Sequence, residues 1–260
     1  MKKIVSLVAV ATLSMGSASA FAAAGDYLDG VATNDCLGVP THAQVKAALV
    51  DALSSTNNGL NLDMWITVVN RFGVVCHVAN AHAIGGTGST DVPQPWLASR
   101  AISAQKAATA NSLSSDGHAI STANLFTAVK PGESLYGLQH SNPVDPRVAY
   151  RGDPTAYATS NDPMVGFKVG GVNVFGGGLA LYEDGLMVGA IGVSGDTSCS
   201  DHNIAWRARE FLNLDFVPGG VHPDGNDNIV YDVASGWNHV ACGVDATAQA
   251  NAFTSQTPTP

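Results

Sequence analysis

The sequence predicts an α+β fold: an antiparallel sheet built from hairpins, with helices packed on it in a two-layer to three-layer sandwich. Two observations predict this fold. Residues 64–79 and 179–195 each contain two apolar runs separated by a short turn, which is typical of β-hairpins. Helical spacing of apolar residues occurs before, between and after these hairpins. A Rossmann or barrel fold would instead require strands that alternate regularly with crossover helices.

The first helix and the first hairpin are predicted from spacing and turn residues. Apolar residues recur at helical spacing after Thr41, which is a helix-capping residue type, and Asn57-Asn-Gly59 ends the run. Residues 64–70 and 74–79 are rich in β-branched residues and are predicted to pair across a three-residue turn.

Side chains on the second strand of this hairpin are expected to alternate between the two faces of the sheet. Val74, Cys76 and Val78 should then share one face. Val75 and His77 should share the other face.

After the first hairpin, some segments show clear periodicity of apolar residues and one long segment shows none. Residues 96–113 are predicted to form the longest helix, and a glycine-rich hairpin followed by a helix over 198–212 ends the patterned part. Residues 130–163 contain five prolines and no periodicity, so they are predicted to be a long ordered excursion of the kind that carries function or an interface. One domain is expected over residues 25–245, with a disordered tail over 246–260.

The N-terminus has the organisation of a secretory signal peptide over residues 1–24. Two lysines precede a short apolar run, and small residues permit cleavage after any position from Ala20 to Ala24. The run is shorter than the roughly 20 residues that span a bilayer. We therefore expect a periplasmic or secreted protein with no membrane attachment after cleavage; the alternative is a retained N-terminal anchor.

The charge of the chain argues against two classes of partner. The formal net charge is −9, and removal of Lys2 and Lys3 with the leader makes it −9 − 2 = −11. Nucleic acids and anionic membranes both require a basic face on the protein. The composition therefore argues against nucleic acid and against an anionic membrane as the partner.

Four cysteines permit two disulfides in an exported chain, with three possible connectivities. A disulfide between Cys199 and Cys242 is favoured because both lie in the C-terminal part, where the tail needs a tether. This leaves Cys36 and Cys76 for the second disulfide. The alternative, a buried free thiol, applies above all to Cys76. No Cys-x-x-Cys-His is present, so covalent attachment of a c-type haem is excluded.

Three segments resemble one protein family. Gly189-Ala-Ile-Gly-Val-Ser-Gly195 fits the family signature closely, and Asp201 falls near the acidic residue that opens the following helix. Residues 65–77 are similar to the family's first hairpin, and residues 103–110 are similar to its Ala-x-x-Lys-Ala-x-Thr-Ala helix. Over residues 41–210 the chain therefore resembles the GlcG/HbpS-like haem-binding proteins, which include the C-terminal domain of PduO.

The resemblance implies an α+β fold, an oligomer and a bound haem or related tetrapyrrole. The chain departs from the family pattern in the first hairpin and after the triple glycine. Asn70 replaces the usual Asp of the first hairpin, and Leu179-Ala180 stands where a proline normally follows the triple glycine.

Histidine is the natural axial ligand for haem iron, because a neutral imidazole donates well to the metal. None of the eight histidines has metal-ligand spacing, so the alternative for each is an ordinary surface or core histidine. His77 is the first candidate metal ligand because it lies on the hairpin that matches the family. His140, in the excursion, and His202, at the start of the last helix, are the other candidates.

The turn Gly195, Asp196, Thr197 and Ser198 leads into a predicted helix N-terminus. Free amides at such a position can hold a carboxylate or a haem propionate. The preceding Gly192-Val-Ser-Gly195 is not a nucleophile elbow, because Asp196 stands where the second glycine is needed. The alternative for the glycines is close packing within the sheet.

Three functions stay open from the sequence. The favoured one is an exported, oligomeric binding protein for haem or a related tetrapyrrole; the others are an enzyme or accessory protein for a small hydroxy acid or similar anion, and a structural module without ligand. No catalytic residue is assigned. A homo-oligomer is predicted because the helix over residues 96–113 carries little charge and would be exposed in a monomer. A shared site could then place His77 or His140 beside a neighbouring chain's propionate-binding turn.

Overall fold

The structure is a computed structural model that describes residues 36–81, 96–231 and 235–243. The predicted leader and the predicted C-terminal tail lie outside these ranges. Within them, four strands form one antiparallel sheet with helices packed on it, which confirms the predicted α+β fold. None of the described helices is both long and apolar enough to span a membrane.

The strands and the long helices follow one another in the order that the hydrophobic spacing predicts, and three four-residue helices lie among them. The helices are α1 (His42–Leu53), α2 (Ala98–Leu113), α3 (Leu125–Ala128), α4 (Leu138–Ser141), α5 (Pro146–Ala149) and α6 (Ser198–Phe211). The strands are β1 (Trp65–Asn70), β2 (Val75–Asn80), β3 (Gly178–Glu183) and β4 (Leu186–Ser194). The order in the sheet is β2-β1-β4-β3, so the two predicted hairpins lie side by side with β1 and β4 in the centre.

Helices cover both faces of this sheet, in three layers. On one face α1 and α6 pack against the sheet around Leu49, Ile66 and Trp206. On the other face α2 packs against it around Trp65 and Ala104.

The helix α2 approaches the sheet closely. A Cβ atom added at Gly192 would lie 1.9 Å from the carbonyl oxygen of Ser103, so only glycine permits this contact. Most of α2 is buried within the chain. The expectation that a monomer would expose this helix is therefore wrong, and the oligomer stays a prediction without that argument.

A β-bulge changes the expected faces of β2. Val68 pairs with His77, but Val69 pairs with Val75, so Cys76 is the extra residue of the bulge. Val75 consequently packs in the same core cluster as Val78, on the α2 face. The prediction of strict alternation along this strand is wrong at that point, because one inserted residue reverses the parity of all those before it.

Buried ion pairs fix the segments outside the sheet to its helices. The guanidinium of Arg100 in α2 binds the carboxylate of Asp162 at the end of the 130–163 excursion, and both side chains are buried. Arg209 in α6 binds Asp227 of the C-terminal segment, with a shortest distance of 2.7 Å. Charges buried in this way need a partner, so each pair specifies where its segment docks.

Candidate functional site

A cavity of about 390 Å³ lies at the β2 edge of the sheet. Its wall comes from three segments: the residues that lead into α1, the start of β2, and the end of the excursion. The volume falls at the lower end of the range for small-molecule pockets, about 300–1,000 Å³. The lining residues are Cys36, Leu37, Gly38, Val39, Thr41, His42, Val74, Cys76, His77, Ser160, Val165 and Gly166. We call this space the His42–His77 cavity.

His77 presents its imidazole to this cavity. It is the one residue of β2 that is partly exposed. Within the described part of the chain its ring nitrogens have no hydrogen-bond partner. Burial, with a smaller contribution from the nearby His42, lowers the pKa of His77 to about 4. The ring is therefore neutral at pH 7, with a lone pair free to bind a metal ion.

His42 lies beside it, at the first position of α1. The two ring centroids are 6.3 Å apart, with an interplanar angle of 70°. His42 Nε2 lies 3.2 Å from the carbonyl oxygen of Val78 and 3.0 Å from that of Ala158. Because carbonyl oxygens only accept, Nε2 is the nitrogen that carries a proton toward them. The cavity is thus lined by two imidazoles, of which His42 is tied to the backbone of the described residues and His77 is not.

The other two candidate histidines do not line this cavity. His140 is exposed on α4. His202 is fully buried in α6, where its Nε2 accepts a hydrogen bond from the Ile229 backbone N–H at 3.1 Å. Burial lowers the pKa of His202 to about 3. The structure does not bring His77, His140 and His202 to one site, because His202 points into the core and His140 into solvent.

The amides of the Gly195–Ser198 turn bind the chain's own side chains. The Asp196 backbone N–H donates to Asp201 Oδ1 at 2.9 Å, and the Thr197 N–H donates to Asp196 Oδ1 at 2.5 Å. Thr197 caps α6 by accepting from the Ser200 N–H. Two of the four turn amides, those of Asp196 and Thr197, are therefore not free for a propionate. A carboxylate does occupy the helix N-terminus, but it belongs to the protein.

Lys106 and Asp201 form a buried ion pair that fixes the start of α6. Lys106 Nζ donates to Asp201 Oδ2 at 2.5 Å and to the carbonyl oxygen of Val193 at 2.9 Å. Both side chains are almost completely buried. Burial raises the pKa of Asp201 to about 6 and lowers that of Lys106. The two residues that carry much of the family resemblance thus join α2, β4 and α6.

Both predicted disulfides are present. Cys36 bonds to Cys76, and Cys199 bonds to Cys242, with sequence separations of 40 and 43 residues. The alternative of a free Cys76 is wrong, and the described residues include no free cysteine. The first disulfide forms part of the cavity wall. The second joins the start of α6 to the C-terminal segment.

Sequence reasoning missed the importance of two histidines. His42 lines the cavity, yet it reads as an ordinary residue in the first turn of a helix. His239 lies 2.6 Å from Ser198, which is 41 residues away along the chain. No spacing signal could have found either contact, because each depends on how distant segments pack.

Comparison with known proteins places most of the chain in one family. Residues 41–210 match the model of the family described as haem degrading protein HbpS-like. Two curated relatives are named corrinoid adenosyltransferase PduO. The Salmonella typhimurium protein is 28% identical over 141 residues, which are 54% of this chain and 32% of the relative. The Citrobacter freundii protein is 29% identical over 123 residues, which are 47% of this chain and 28% of the relative. The chain thus spans about a third of the length of these relatives.

Two solved structures are also similar. Klebsiella pneumoniae protein ORFY has 26% identity and a TM-score of 0.43, over 66% of this chain and 88% of that protein. A PduOC:haem complex has 22% identity and a TM-score of 0.43, over 71% of this chain and 96% of that protein.

Proposed function

The chain belongs to the HbpS-like family, and we propose on that basis that it is an exported small-molecule-binding protein for haem or a related tetrapyrrole. The ligand would occupy the His42–His77 cavity. The observation that carries this proposal is the His77 ring, which is neutral at pH 7, faces a cavity and has no hydrogen-bond partner among the described residues. Histidine in an apolar pocket is a common axial ligand of haem iron.

The lining residues fit a tetrapyrrole in two respects. Leu37, Val39 and Val165 supply apolar surface for the macrocycle. The N-terminus of α1 also lines the cavity at Thr41 and His42. The positive end of the α1 dipole favours a carboxylate, so a propionate would lie there rather than at the α6 turn, although the Thr41–Gln44 capping box already uses two of the α1 amides. When bound, haem would supply an iron centre for redox or oxygen chemistry, while His77 would supply its protein ligand.

The two disulfides support the export part of the proposal. Disulfides form and persist in oxidising compartments such as the bacterial periplasm. Two bonds of this kind, together with the leader-like residues 1–24, favour a periplasmic or secreted protein. Expression with the leader, followed by N-terminal sequencing of the periplasmic fraction, tests this. A mature protein that begins between residues 21 and 25 is expected, and retention of Met1 would contradict it.

Titration with hemin tests the ligand. The full mature chain should give a saturable Soret shift with one equivalent of hemin. His77→Ala should remove the shift or weaken affinity at least ten-fold, because the iron loses its ligand. The matched control is His118→Ala, since His118 is an exposed histidine outside the cavity.

Three results would change the assignment. Loss of the shift in His140→Ala but not in His77→Ala would move the ligand to the excursion. Binding of a small hydroxy acid without any Soret shift would favour the enzyme or accessory alternative. Bleaching of the Soret band on addition of a reductant would extend the function from binding to degradation, which the family description suggests.

A further inference from the structure

A serine and a histidine are in contact at the start of α6, and neither lines the His42–His77 cavity. Ser198 Oγ lies 2.6 Å from His239 Nε2, and His239 Nδ1 lies 2.6 Å from the carbonyl oxygen of Val240. Because a carbonyl oxygen only accepts, Nδ1 carries the imidazole proton and Nε2 is left as an acceptor. The Ser198 hydroxyl therefore donates to His239 Nε2. We call these residues the Ser198–His239 pair.

The backbone places Ser198 where a developing negative charge is stabilised. The strand β4 ends at Ser194, a short turn follows, and Ser198 is the first residue of α6. The Gly176 N–H donates to Ser198 Oγ at 2.8 Å. The dipole of the 14-residue helix α6 favours negative charge at this end. Hydrolase nucleophiles occupy the same strand–turn–helix position, although the glycine motif around them is absent here.

His239 is held rigidly against this serine. Its side chain is almost fully buried, and its ring lies against Phe126 with centroids 4.2 Å apart. Its backbone N–H donates to the carbonyl oxygen of Val230 at 2.7 Å. Three residues later, Cys242 is bonded to Cys199 of α6. The segment that carries the base is thus covalently tied to the helix that carries the hydroxyl.

The amide next to Ser198 could stabilise an oxyanion. Among the residues that the structure describes, the acceptor for the Cys199 N–H is a disulfide sulfur, Cys242 Sγ, at 3.2 Å. Sulfur is a weak acceptor, so an oxyanion would compete well for this N–H. In acyl transfer the amide that follows the nucleophile commonly has this role.

We propose that Ser198 and His239 are a nucleophile–base pair that hydrolyses small carboxylic esters. Ser198 is partly exposed, which is a requirement for access by a small acyl group. A nucleophile bonded to a base that is itself oriented by a third group is the arrangement that nucleophilic catalysis requires. Here the orienting group is a backbone carbonyl instead of a carboxylate.

The steps balance without a cofactor. Ser198 Oγ bonds to the ester carbonyl carbon while its proton moves to His239 Nε2. The bond from that carbon to the alkoxy oxygen then breaks, and the proton passes to the leaving alcohol. Water next attacks the acyl-serine and gives one proton to Nε2, which returns it to Ser198 Oγ as the carboxylic acid leaves.

A small alkyl fluorophosphonate tests the pair directly on the disulfide-bonded full chain. One equivalent is expected to attach covalently, and peptide mapping should locate it on Ser198. Ser198→Ala should remove the label, while Ser141→Ala should label as the wild type does, because Ser141 is an exposed helical serine remote in sequence. No labelling of the wild type, or a label on another residue, would overturn the proposal.

Two further measurements separate a catalytic base from a merely structural contact. His239→Gln is expected to slow labelling about 100-fold or more, the usual contribution of a general base, while Cys199 and Cys242 stay bonded. The pKa of His239 is lowered to about 4, mainly by burial; the hydrogen bond to the Val240 carbonyl opposes this shift, and the charges of Lys130 and Lys106 add to it. The labelling rate should therefore be flat from pH 8 to 5.5. A midpoint well above pH 6 would assign the base to another group.

This proposal and the haem proposal fail separately. His77→Ala should lose hemin affinity and keep the wild-type labelling rate. Ser198→Ala should lose labelling and keep hemin affinity.

Discussion

The His42–His77 cavity and the Ser198–His239 pair are built from similar parts. Each combines a disulfide, the N-terminus of a long helix and a histidine whose pKa burial lowers to about 4. They differ in what the histidine ring contacts. His77 faces open space and has no hydrogen-bond partner among the described residues, whereas both ring nitrogens of His239 are bonded.

This difference assigns different chemistry to the same residue type. A free lone pair in an apolar cavity can coordinate a metal ion, which suits a binding protein. A lone pair that already accepts from a hydroxyl can instead move a proton. The number of hydrogen bonds on the ring, more than its pKa, decides whether the histidine can bind a metal ion or transfer a proton.

The largest expected effect concerns the start of α6. Lys106→Met removes one partner of a buried ion pair and leaves the Asp201 carboxylate buried without a counter-charge. The free energy of unfolding should fall by about 3–5 kcal/mol. Urea denaturation measures this. Lys168→Met, at an exposed lysine near the cavity wall, should change it by less than about 0.5 kcal/mol. Equal effects would show that the start of α6 does not depend on the pair.

The two disulfides should contribute nearly equally. Their sequence separations are 40 and 43 residues, and the loop-closure argument gives similar entropies for similar loops. Replacement of either cysteine pair by serines should destabilise the chain by about 2–4 kcal/mol. However, only the loss of Cys199–Cys242 should also slow fluorophosphonate labelling, because it frees the segment that carries His239. Slower labelling on loss of Cys36–Cys76 would contradict the separation of the two regions.

A glycine beside Ser198 should tolerate substitution poorly. A Cβ atom at Gly176 would lie 2.3 Å from the carbonyl oxygen of Ser198. Gly176→Ala should therefore cost about 1–3 kcal/mol from overpacking and also slow labelling. At the cavity, a Cβ atom added at Gly38 would contact nothing within 4 Å. Gly38→Ala should therefore lose only about 1 kcal/mol of stability, because an alanine is strained at the left-handed φ of +87°. Thermal unfolding of both variants measures the two stability losses. A larger loss of stability in Gly38→Ala than in Gly176→Ala would contradict this prediction.

The smallest expected effect is the pH dependence of hemin binding. Protons compete with iron for His77 only below its folded-state pKa of about 4. Affinity should therefore change less than about two-fold from pH 8 to 5.5. An imidazole with the ordinary pKa of 6.5 would be only about one-tenth neutral at pH 5.5. A ten-fold loss of affinity over this range would show that the ligand is an exposed histidine.

The sequence by itself determined the architecture. Apolar periodicity separated strands from helices, and short turns showed that the strands pair as hairpins, because both signals arise within a few neighbouring residues. The family resemblance over residues 41–210 rests on the same local segments. The cysteine count was sufficient to predict two disulfides, since few pairings are possible for four residues.

Only the tertiary structure decided which residues meet. The bulge at Cys76 changed which face of the sheet the first residues of β2 occupy, and no residue pattern predicts an inserted residue in a strand. The turn before α6 reads as an open anion site, but Asp196 and Asp201 fold back onto its amides. His42 reaches His77, and His239 reaches Ser198, across long stretches of chain. Such contacts depend on packing between distant segments, whose geometry a linear pattern does not contain.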